Sequence, residues 1–313
     1  MSDAATIAAA GEALGDLVER DAPLGALTTY RVGGRAALLA RIDDDRSLQA
    51  VLDAVRATGV EVLVVGKGSN LLVADDGFAG LALVLGEAFA GIEVDGTEVE
   101  AGAGASLPVV ARRSVAAGLT GFEWAVGVPG SIGGAVRMNA GGHGSDMAAV
   151  LARVRVVDLR SGEDGWVPAA ALQLGYRRSS VEPHHLVVAA RLALAPGDEA
   201  RGSAEIAEIV AWRRANQPGG PNAGSVFTNP PGESAGRLID EAGGKGRRHG
   251  TAEVSTKHAN FIQADEGGRA ADVLALMDEV RALVRAHAGI ELVPETRLIG
   301  FDEGRDPRPE VEG

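Results

Sequence analysis

Three glycine-rich segments are the parts of this 313-residue chain that could most directly do chemistry. They are residues 66–71, which read Gly-Lys-Gly-Ser-Asn-Leu, residues 102–106, and residues 127–144. Glycine allows a backbone to approach a phosphate closely and to present several N–H groups to it. Because so many glycines cost backbone entropy on folding, something is expected to lie against this backbone. The segments indicate a nucleotide cofactor, although a glycine-rich loop packed on another strand would look much the same.

The composition excludes several other classes of function. A net charge of −13 argues against a nucleic-acid partner, because no basic stripe is present to displace counterions from a phosphate backbone. The chain has no cysteine, so disulfides, thiolate nucleophiles and cysteine-based metal centres are excluded. The six histidines show no metal-ligand spacing, and no metal site is predicted. The acidic N-terminus has no long apolar run, which predicts a cytoplasmic protein with neither a signal peptide nor a membrane span.

The elements that position the glycine-rich segments can be predicted from apolar spacing. Helical spacing over residues 48–55, with Ser47 as a possible cap and Gly59 at the end, predicts a helix. Residues 60–65 are nearly all apolar and β-branched, which predicts a strand buried on both faces. Alternation around an Asp-Gly pair in residues 92–99 predicts a β-hairpin.

Further elements give the chain a mixed α+β character. Helices are predicted over residues 106–117, 206–216 and 273–284, and strands over residues 154–159 and 186–194. The composition changes after a Pro-Gly-Asp sequence, which predicts a domain boundary near residue 200.

A series of short motifs runs in order from about Thr28 to Gly300. In the first half these are residues 29–34, 66–71 and 127–134. In the second half they are Gly175-Tyr176-Arg177, residues 223–230, residues 257–261, and Pro294-Glu295 followed by Gly300. This ordered set resembles the UDP-N-acetylenolpyruvoylglucosamine reductase family. The short connection after Arg177 resembles the family's second type, which lacks a long tyrosine-bearing insertion.

The resemblance implies an α+β fold with an FAD-binding unit in two subdomains, of the vanillyl-alcohol oxidase/PCMH type, and a C-terminal α+β substrate-binding domain. The expected bounds are residues 22–86 joined by 290–301 for the first subdomain, 87–200 for the second, and 201–289 for the substrate-binding domain. Residues 1–21 are expected to form an N-terminal extension and residues 302–313 a disordered tail.

The resemblance also implies a reaction of peptidoglycan precursor synthesis. NADPH reduces non-covalently bound FAD, and hydride from flavin N5 then reaches the β-carbon of UDP-N-acetylglucosamine enolpyruvate, giving UDP-N-acetylmuramate. NADPH and the UDP-sugar are expected to use one cleft in turn. No obligate protein partner is implied, and a monomer is expected.

Individual residues receive roles from the same resemblance. Ser225 is implied as the proton donor to the α-carbon, with Arg177 and Glu295 as the other catalytic residues. The implied substrate-binding residues are Tyr176, Asn229, Lys257 and His258. The implied cofactor-binding residues are Gly66, Lys67, Gly68, Ser69, Asn70, Leu71, Gly127, Val128, Pro129, Gly130, Ser131, Gly133, Gly134, Ala135, Asn139 and Gly141.

The three catalytic residue types suit this chemistry. Hydride addition leaves negative charge that spreads into the substrate carboxylate, and an arginine such as Arg177 can bind a carboxylate through two N–H groups. The Ser225 hydroxyl is a weak acid and can donate a proton only if its neighbours stabilise or reprotonate the alkoxide. An ionised Glu295 would repel the intermediate, so a raised pKa is predicted for its carboxyl group.

Two features remain open from the sequence. The basic cluster of Lys245, Arg247, Arg248 and His249 could hold a diphosphate, or it could be a solvated surface loop. His143 and Thr228 stand where many members of the family have other residues. His143 is expected close to the flavin, and no covalent link between the two is predicted.

Two rival functions share parts of this pattern. An FAD-dependent oxidase or dehydrogenase of hydroxy acids or sugars would have the same type of FAD domain, but would not be expected to carry Ser225, Asn229 and Glu295 in this context. A non-catalytic flavin- or nucleotide-binding module would keep only the scaffold. Substrate-dependent turnover separates this module from both enzymes.

Overall fold

The computed structural model describes residues 2–301, and the predicted disordered tail at residues 302–313 lies outside this part of the chain. Over residues 2–301, no helix combines the length and the apolar character needed to cross a membrane.

Helices and strands follow one another along residues 2–301. The α-helices are α1 (Ala4–Leu14), α2 (Asp45–Thr58), α3 (Leu107–Ala116), α4 (Ile132–Met138), α5 (Glu199–Asn216), α6 (Ala235–Glu241) and α7 (Ala270–Ala288). The strands are β1 (Val18–Ala22), β2 (Ala36–Ile42), β3 (Val62–Val64), β4 (Leu71–Val73), β5 (Phe78–Leu85), β6 (Ile92–Asp95), β7 (Glu98–Gly102), β8 (Leu119–Thr120), β9 (Gly141–Gly142), β10 (Ser145–Asp146), β11 (Leu151–Asp158), β12 (Asp164–Pro168), β13 (His185–Ala193), β14 (Ala195–Pro196), β15 (Arg248–His249), β16 (Ala252–Val254), β17 (Ile262–Ala264) and β18 (Arg297–Ile299).

A four-stranded sheet in the order β1-β2-β5-β3 forms the first layer. Strand β1 is antiparallel to β2, whereas β2, β5 and β3 run parallel to one another. Helix α2 shares a hydrophobic core with this sheet because its apolar residues lie on one face. The layer positions the first glycine-rich segment, which begins shortly after β3.

A five-stranded antiparallel sheet in the order β12-β11-β13-β7-β6 forms the second layer. Helices α3 and α4 contribute to its hydrophobic core, as do Ile206 and Ile209 of α5. Helix α5 therefore packs on the second layer, although its residues fall within the segment predicted to bind substrate. The domain bounds themselves stay a prediction.

The C-terminal part is a smaller α+β unit. Strands β15, β16 and β17 form an antiparallel sheet, and α6 and α7 share its hydrophobic core. The chain then returns to the first layer, where β18 pairs in parallel with β4. The Arg297 N–H also donates to the carbonyl of Asn70 at 3.0 Å. This return brings the end of the chain to the glycine-rich turn at residues 66–71.

Most of the predicted elements are confirmed, and the differences lie at their ends. Helix α2 begins at Asp45 because the Asp44 carboxylate, rather than Ser47, caps it by accepting the Ser47 N–H at 2.7 Å. Helix α5 begins at Glu199, earlier than residue 206, because Asp198 caps its start. The predicted hairpin is formed by β6 and β7, with Gly96 at φ 58° in the turn.

Candidate active site

Residues 66–71 form a tight turn that ends in β4. Gly68 has φ 61°, and a Cβ added there would lie 2.2 Å from the carbonyl oxygen of Leu27. The Thr29 N–H donates to the Gly68 carbonyl at 3.1 Å. Glycine is therefore needed at position 68 both for the left-handed backbone and for the close approach of residues 27–29.

We expect Gly68→Ala to destabilise the protein more than Gly59→Ala. Gly59 has a similar φ of 68°, but a Cβ there would have no atom within 4 Å. Gly59→Ala should lower the free energy of unfolding by about 1 kcal/mol through backbone strain alone. Gly68→Ala should lower it by roughly 2 kcal/mol more, because the backbone at Leu27 must shift. Urea denaturation of the two variants measures this difference, and equal losses would show that the turn accommodates a side chain.

The first and third glycine-rich segments lie against each other. A Cβ on Gly66 would come within 2.5 Å of the Ser131 hydroxyl oxygen, and one on Gly130 within 3.5 Å of the Ser69 hydroxyl oxygen. The two segments therefore meet through Gly66 and Ser131 and through Ser69 and Gly130.

The second segment, residues 102–106, packs against the third. The Gly133 N–H donates to the Ala103 carbonyl, and a Cβ on Gly133 would lie 3.0 Å from Ala103 Cβ. Some of the glycines thus allow the protein to pack on itself, which is the alternative that the sequence left open.

Free donors line the edge where the first and third segments meet. Within residues 2–301, no protein acceptor pairs with the backbone N–H groups of Lys67, Ser69, Asn70, Gly130 and Ser131. The Lys67 residue is exposed. Several free N–H groups beside an ammonium group suit a diphosphate. The residues present therefore fit the diphosphate of FAD.

Two of the predicted cofactor residues also shape these loops. The buried Ser131 hydroxyl caps α4 by accepting the Gly134 N–H. Asn139 is buried with φ 40°, and its side-chain amide donates to the Gly175 carbonyl at 2.9 Å. Asn139 thus holds the backbone directly before Tyr176. The remaining residues of the set lie along the same segment: Gly127, Val128 and Pro129 precede α4, Ala135 is buried within it, and Gly141 is in β9.

Arg177 and Glu295 meet although they are far apart in the sequence. Arg177 Nε lies 3.0 Å from Glu295 Oε1, and Arg177 Nη2 donates to the Gly141 carbonyl at 3.0 Å. Arg177 has φ 57°, a strained conformation that is concentrated at functional sites. The exposed ring of Tyr176 has its centroid 5.1 Å from the Arg177 guanidinium. Two predicted catalytic residues are thereby brought together.

Glu295 is held by its backbone as well as by its side chain. Its N–H donates to the Val226 carbonyl at 2.7 Å, and its carbonyl accepts from the Asn70 side-chain amide at 3.1 Å. Burial raises the pKa of the Glu295 carboxyl, while the neighbouring Arg177 acts in the opposite direction by favouring the ionised form. The net direction agrees with the raised pKa predicted from the sequence.

The backbone contact with Glu295 places Ser225 at the same site. Ser225 directly precedes Val226, whose carbonyl accepts from Glu295. The Ser225 side chain is partly exposed, and its hydroxyl has no hydrogen-bond partner among the residues that the structure describes. The hydroxyl is therefore available to a ligand in the cleft.

Asn260 holds the loop that carries Ser225 through hydrogen bonds to the loop's backbone. The sequence motifs did not predict this role. Its side-chain oxygen accepts the Phe227 N–H at 3.0 Å, and its amide donates to the Phe227 carbonyl at 2.8 Å. Its own carbonyl accepts the Val226 N–H at 2.9 Å. The one sequence signal was that Asn260 belongs to the motif at residues 257–261 and directly precedes the apolar Phe261 and Ile262, where a buried amide must be hydrogen-bonded.

We expect Asn260→Leu to destabilise the protein by about 3 kcal/mol, because two buried backbone groups of Phe227 lose their partners. Urea denaturation measures this loss. Gln49→Leu is the matched control, since Gln49 is on the solvent side of α2 and bonds only to Asp53. A loss no larger than that of the control would mean that Asn260 does not support the Ser225 loop.

The predicted substrate-binding residues are only partly free to bind substrate. Asn229 is exposed, but its side-chain oxygen accepts the Ala235 N–H at the start of α6. Lys257 Nζ donates to the Arg214 carbonyl at 2.6 Å, at the end of α5. His258 packs edge-on against Phe261, and burial lowers the pKa of its imidazole. Asn229 and Lys257 therefore hold the ends of neighbouring helices through hydrogen bonds. Their predicted roles in binding substrate stay predictions.

The basic cluster is paired with carboxylates. Lys245 pairs with Asp240, Arg247 and His249 with Glu279, and Arg248 with Glu253 and Asp265. A diphosphate would have to compete with these ion pairs, which favours the solvated-surface interpretation of the cluster.

The fold brings two histidines to one aspartate, although the sequence shows no metal-ligand spacing. Single ligand atoms of Asp158, His184 and His185 lie within 4.8 Å of one another. The His185 Nδ1 accepts the Glu182 N–H at 3.0 Å, so a neutral ring carries its proton on Nε2, the nitrogen that faces Asp158. In this tautomer Nε2 carries a proton and has no lone pair free for a metal ion.

Comparisons with known proteins show which family the chain resembles. Residues 36–164 match a family described as an FAD binding domain, and residues 215–299 match the C-terminal domain of UDP-N-acetylenolpyruvoylglucosamine reductase. A reductase of that name from Heliobacterium modesticaldum is 45% identical over 286 residues, which cover 90% of this chain and 91% of the relative. The corresponding protein of Acidiphilium cryptum is 44% identical over 285 residues, covering 90% and 91%.

A solved structure shows the same similarity in three dimensions. The crystal structure of UDP-N-acetylenolpyruvylglucosamine reductase from Thermus caldophilus superposes with a TM-score of 0.79 at 37% identity. The match covers 90% of this chain and 98% of that one. The expected fold class, an FAD-binding unit joined to a C-terminal α+β domain, is confirmed.

Proposed function

The chain belongs to the UDP-N-acetylenolpyruvoylglucosamine reductase family, and on that premise we propose that it uses NADPH to reduce UDP-N-acetylglucosamine enolpyruvate to UDP-N-acetylmuramate. As a member of this family, it is an FAD-dependent oxidoreductase of peptidoglycan precursor synthesis. The observation that carries the proposal is the contact of Arg177 with Glu295 beside the Ser225 loop. We further propose that the enzyme acts in the cytoplasm as a monomer.

The chemistry that FAD would supply when bound is hydride transfer, from NADPH to the β-carbon of the enolpyruvyl group. The free N–H groups of residues 66–71 and 130–131, together with Lys67, would hold the cofactor's diphosphate. The Gly141–Gly144 loop would be fixed by the hydrogen bond from Arg177 to the Gly141 carbonyl.

Arg177 would orient the substrate by binding its carboxylate. A guanidinium group binds a carboxylate through parallel hydrogen bonds and remains charged throughout the reaction. The contact of Arg177 with Glu295 would then be shared with the substrate. Sharing Arg177 with the substrate would weaken the attraction between Arg177 and the Glu295 carboxylate, which lowers the pKa of Glu295. The bound substrate would therefore favour the protonated carboxyl.

Ser225 would donate its proton to the α-carbon, completing the saturated lactyl ether. Its hydroxyl has no competing partner among residues 2–301. A protonated Glu295 would donate a hydrogen bond to the negative charge that develops on the substrate carboxylate. The Asn260 side chain and the Asn70 amide would keep these two groups in register.

Membership of the reductase family favours this function over the two rivals. A hydroxy-acid oxidase needs no proton donor at an α-carbon, and a non-catalytic module needs no buried glutamate beside an arginine. The arrangement of Ser225, Arg177 and Glu295 supports the reductase over both rivals.

Anaerobic absorption spectroscopy tests the proposal. NADPH is expected to bleach the flavin bands of the purified holoprotein, and UDP-N-acetylglucosamine enolpyruvate is then expected to restore them. A bleached flavin that does not respond to the enolpyruvyl sugar, combined with oxygen consumption on a hydroxy acid, would instead favour the oxidase. A protein that binds no FAD would remove the basis of the proposal.

A further inference from the structure

An aromatic pair at the edge of the glycine-rich loops is not used by the catalytic arrangement described above. Trp212 of α5 is 48% exposed, and its indole meets the His143 imidazole edge-on, with ring centroids 5.2 Å apart at 88°. A solvent-exposed indole on a helix that is otherwise largely polar retains a large apolar face without cover.

His143 fixes this indole to the cofactor loop. A Cβ added to Gly127 would lie 3.0 Å from Cδ2 and Nε2 of His143, so the imidazole rests directly against that glycine. His143 has φ 51° and Gly144 has φ 86°. The two residues form the turn between β9 and β10, and a two-residue hairpin turn of this kind requires a positive φ at both positions. The hairpin therefore fixes where the imidazole stands.

The segments that carry this pair are connected to predicted site residues on two sides. His143 is two residues after Gly141, whose carbonyl accepts from Arg177. On the other side, the end of α5 is tied to the predicted substrate-binding segment, because Lys257 donates to the Arg214 carbonyl. The last turns of α5 therefore meet the cofactor loop through Trp212 and the C-terminal unit through Arg214.

The residue after Trp212 in α5 supplies a positive charge. Arg213 is partly buried, its Nε donates to Gln217 at 2.8 Å, and no carboxylate pairs with it in the described part of the chain. Arg213 is one helical turn beyond Ile209, whose side chain lies against Gly127, so the two share the face that packs towards the glycine-rich loop. A flat aromatic surface beside an uncompensated guanidinium is suited to a nucleotide, which has a planar base and charged phosphates.

We propose that Trp212, oriented by His143, stacks on the planar heterocycle of a nucleoside diphosphate in the active-site cleft, with Arg213 close to its phosphates. The proposal rests on the proposed function, which brings two such molecules to this cleft, the UDP-sugar and NADPH. Trp212 is then a residue that determines nucleotide affinity, while Ser225, Arg177 and Glu295 carry out the chemistry.

Binding measurements on the holoprotein test this proposal without relying on turnover. Trp212→Leu keeps an apolar residue on the helix but removes the aromatic face, and Trp212→Phe restores part of that face. The matched control is Trp166→Leu, which removes the indole of β12 that packs under Arg191. UDP and NADP⁺ are the probes, with dissociation constants measured by isothermal titration calorimetry and by quenching of tryptophan fluorescence.

We expect Trp212→Leu to weaken the binding of at least one probe by about tenfold, as for other base-stacking aromatic residues. Trp212→Phe should recover most of the lost affinity. The Trp166→Leu control should bind both probes with the affinity of the wild-type protein. If only UDP binds more weakly, Trp212 stacks on uracil. If only NADP⁺ binds more weakly, Trp212 stacks on a base of the nicotinamide cofactor. If both bind more weakly, the two molecules share the Trp212 ring.

Two other results would overturn the inference, in distinguishable ways. If Trp212→Leu bound both probes as tightly as the wild-type protein, and the wild-type protein reduced the enolpyruvyl sugar, the stacking role of Trp212 would be wrong and the proposed function would stand. If the unchanged protein bound neither UDP nor NADP⁺, the proposed function and the stacking role would both fail.

Discussion

Ser225→Ala is expected to abolish most turnover of the enolpyruvyl sugar while leaving reduction of the flavin by NADPH intact. The hydroxyl is the one predicted proton donor at the site and has no other partner in residues 2–301. Loss of a positioned general acid lowers a rate by about 10²- to 10⁴-fold. Stopped-flow spectroscopy separates the two half-reactions, because NADPH bleaches the flavin before the sugar is added.

Thr228→Ala is the matched control for this variant. Thr228 has a hydroxyl in the same loop, which donates weakly to the Val293 carbonyl at 3.3 Å. Removing it should change the second half-reaction only a few-fold, as expected for loss of one exposed neutral hydrogen bond. If Ser225→Ala reoxidised its flavin as fast as Thr228→Ala, proton donation would have to be assigned to another group.

Glu295→Gln is expected to slow the second half-reaction, in which the enolpyruvyl sugar reoxidises the flavin. The substitution is also expected to abolish the fall of this rate as pH rises. In the proposed mechanism the active form of Glu295 is the protonated one, and burial raises its pKa above the usual range. The protonated fraction falls as pH rises through that raised pKa, so the rate in the unchanged protein should fall with it. Glutamine is neutral at every pH and cannot show this decline.

The rate of flavin reoxidation, measured across the pH range, tests the sign of this effect. Glu291→Gln is the matched control, because Glu291 is a more exposed carboxylate four residues earlier that pairs with Arg281. Its profile should follow that of the unchanged protein. A Glu295→Gln profile that still declined at alkaline pH would assign the titration to a different group, and a rate that rose with pH would mean that the ionised carboxylate is the active form.

Local structure was largely predictable because it depends on neighbouring residues. Apolar spacing indicated α2 and α7, and an Asp-Gly pair indicated the hairpin of β6 and β7. Such signals arise from backbone dihedral preferences and from hydrogen bonds that span a few residues. The helix ends were less predictable, since a competing cap such as Asp44 or Asp198 moves a boundary without changing the apolar pattern.

The candidate site was predictable as a set of residues but not as an arrangement. Lys257 matched a predicted substrate-binding position, yet its ammonium group donates to the end of α5. The basic cluster around Lys245 suggested anion binding, yet the folded chain pairs it with carboxylates. Sequence spacing cannot reveal the pairings of Arg247 with Glu279 and of Arg248 with Asp265, because these partners come from separate elements whose distance is decided by packing.

The amino-acid sequence by itself determined the types of element and the motifs that assign the chain to its family. Only the tertiary structure decided which distant groups meet: Arg177 with Glu295, Asn260 with the Ser225 loop, and His143 with Trp212. The physical reason is that secondary structure follows from short-range dihedral and hydrogen-bond preferences, whereas these contacts depend on how two sheets and a C-terminal unit pack together. The raised pKa of Glu295 is also decided by the tertiary structure. It depends on burial that exists only after the chain has returned through β18.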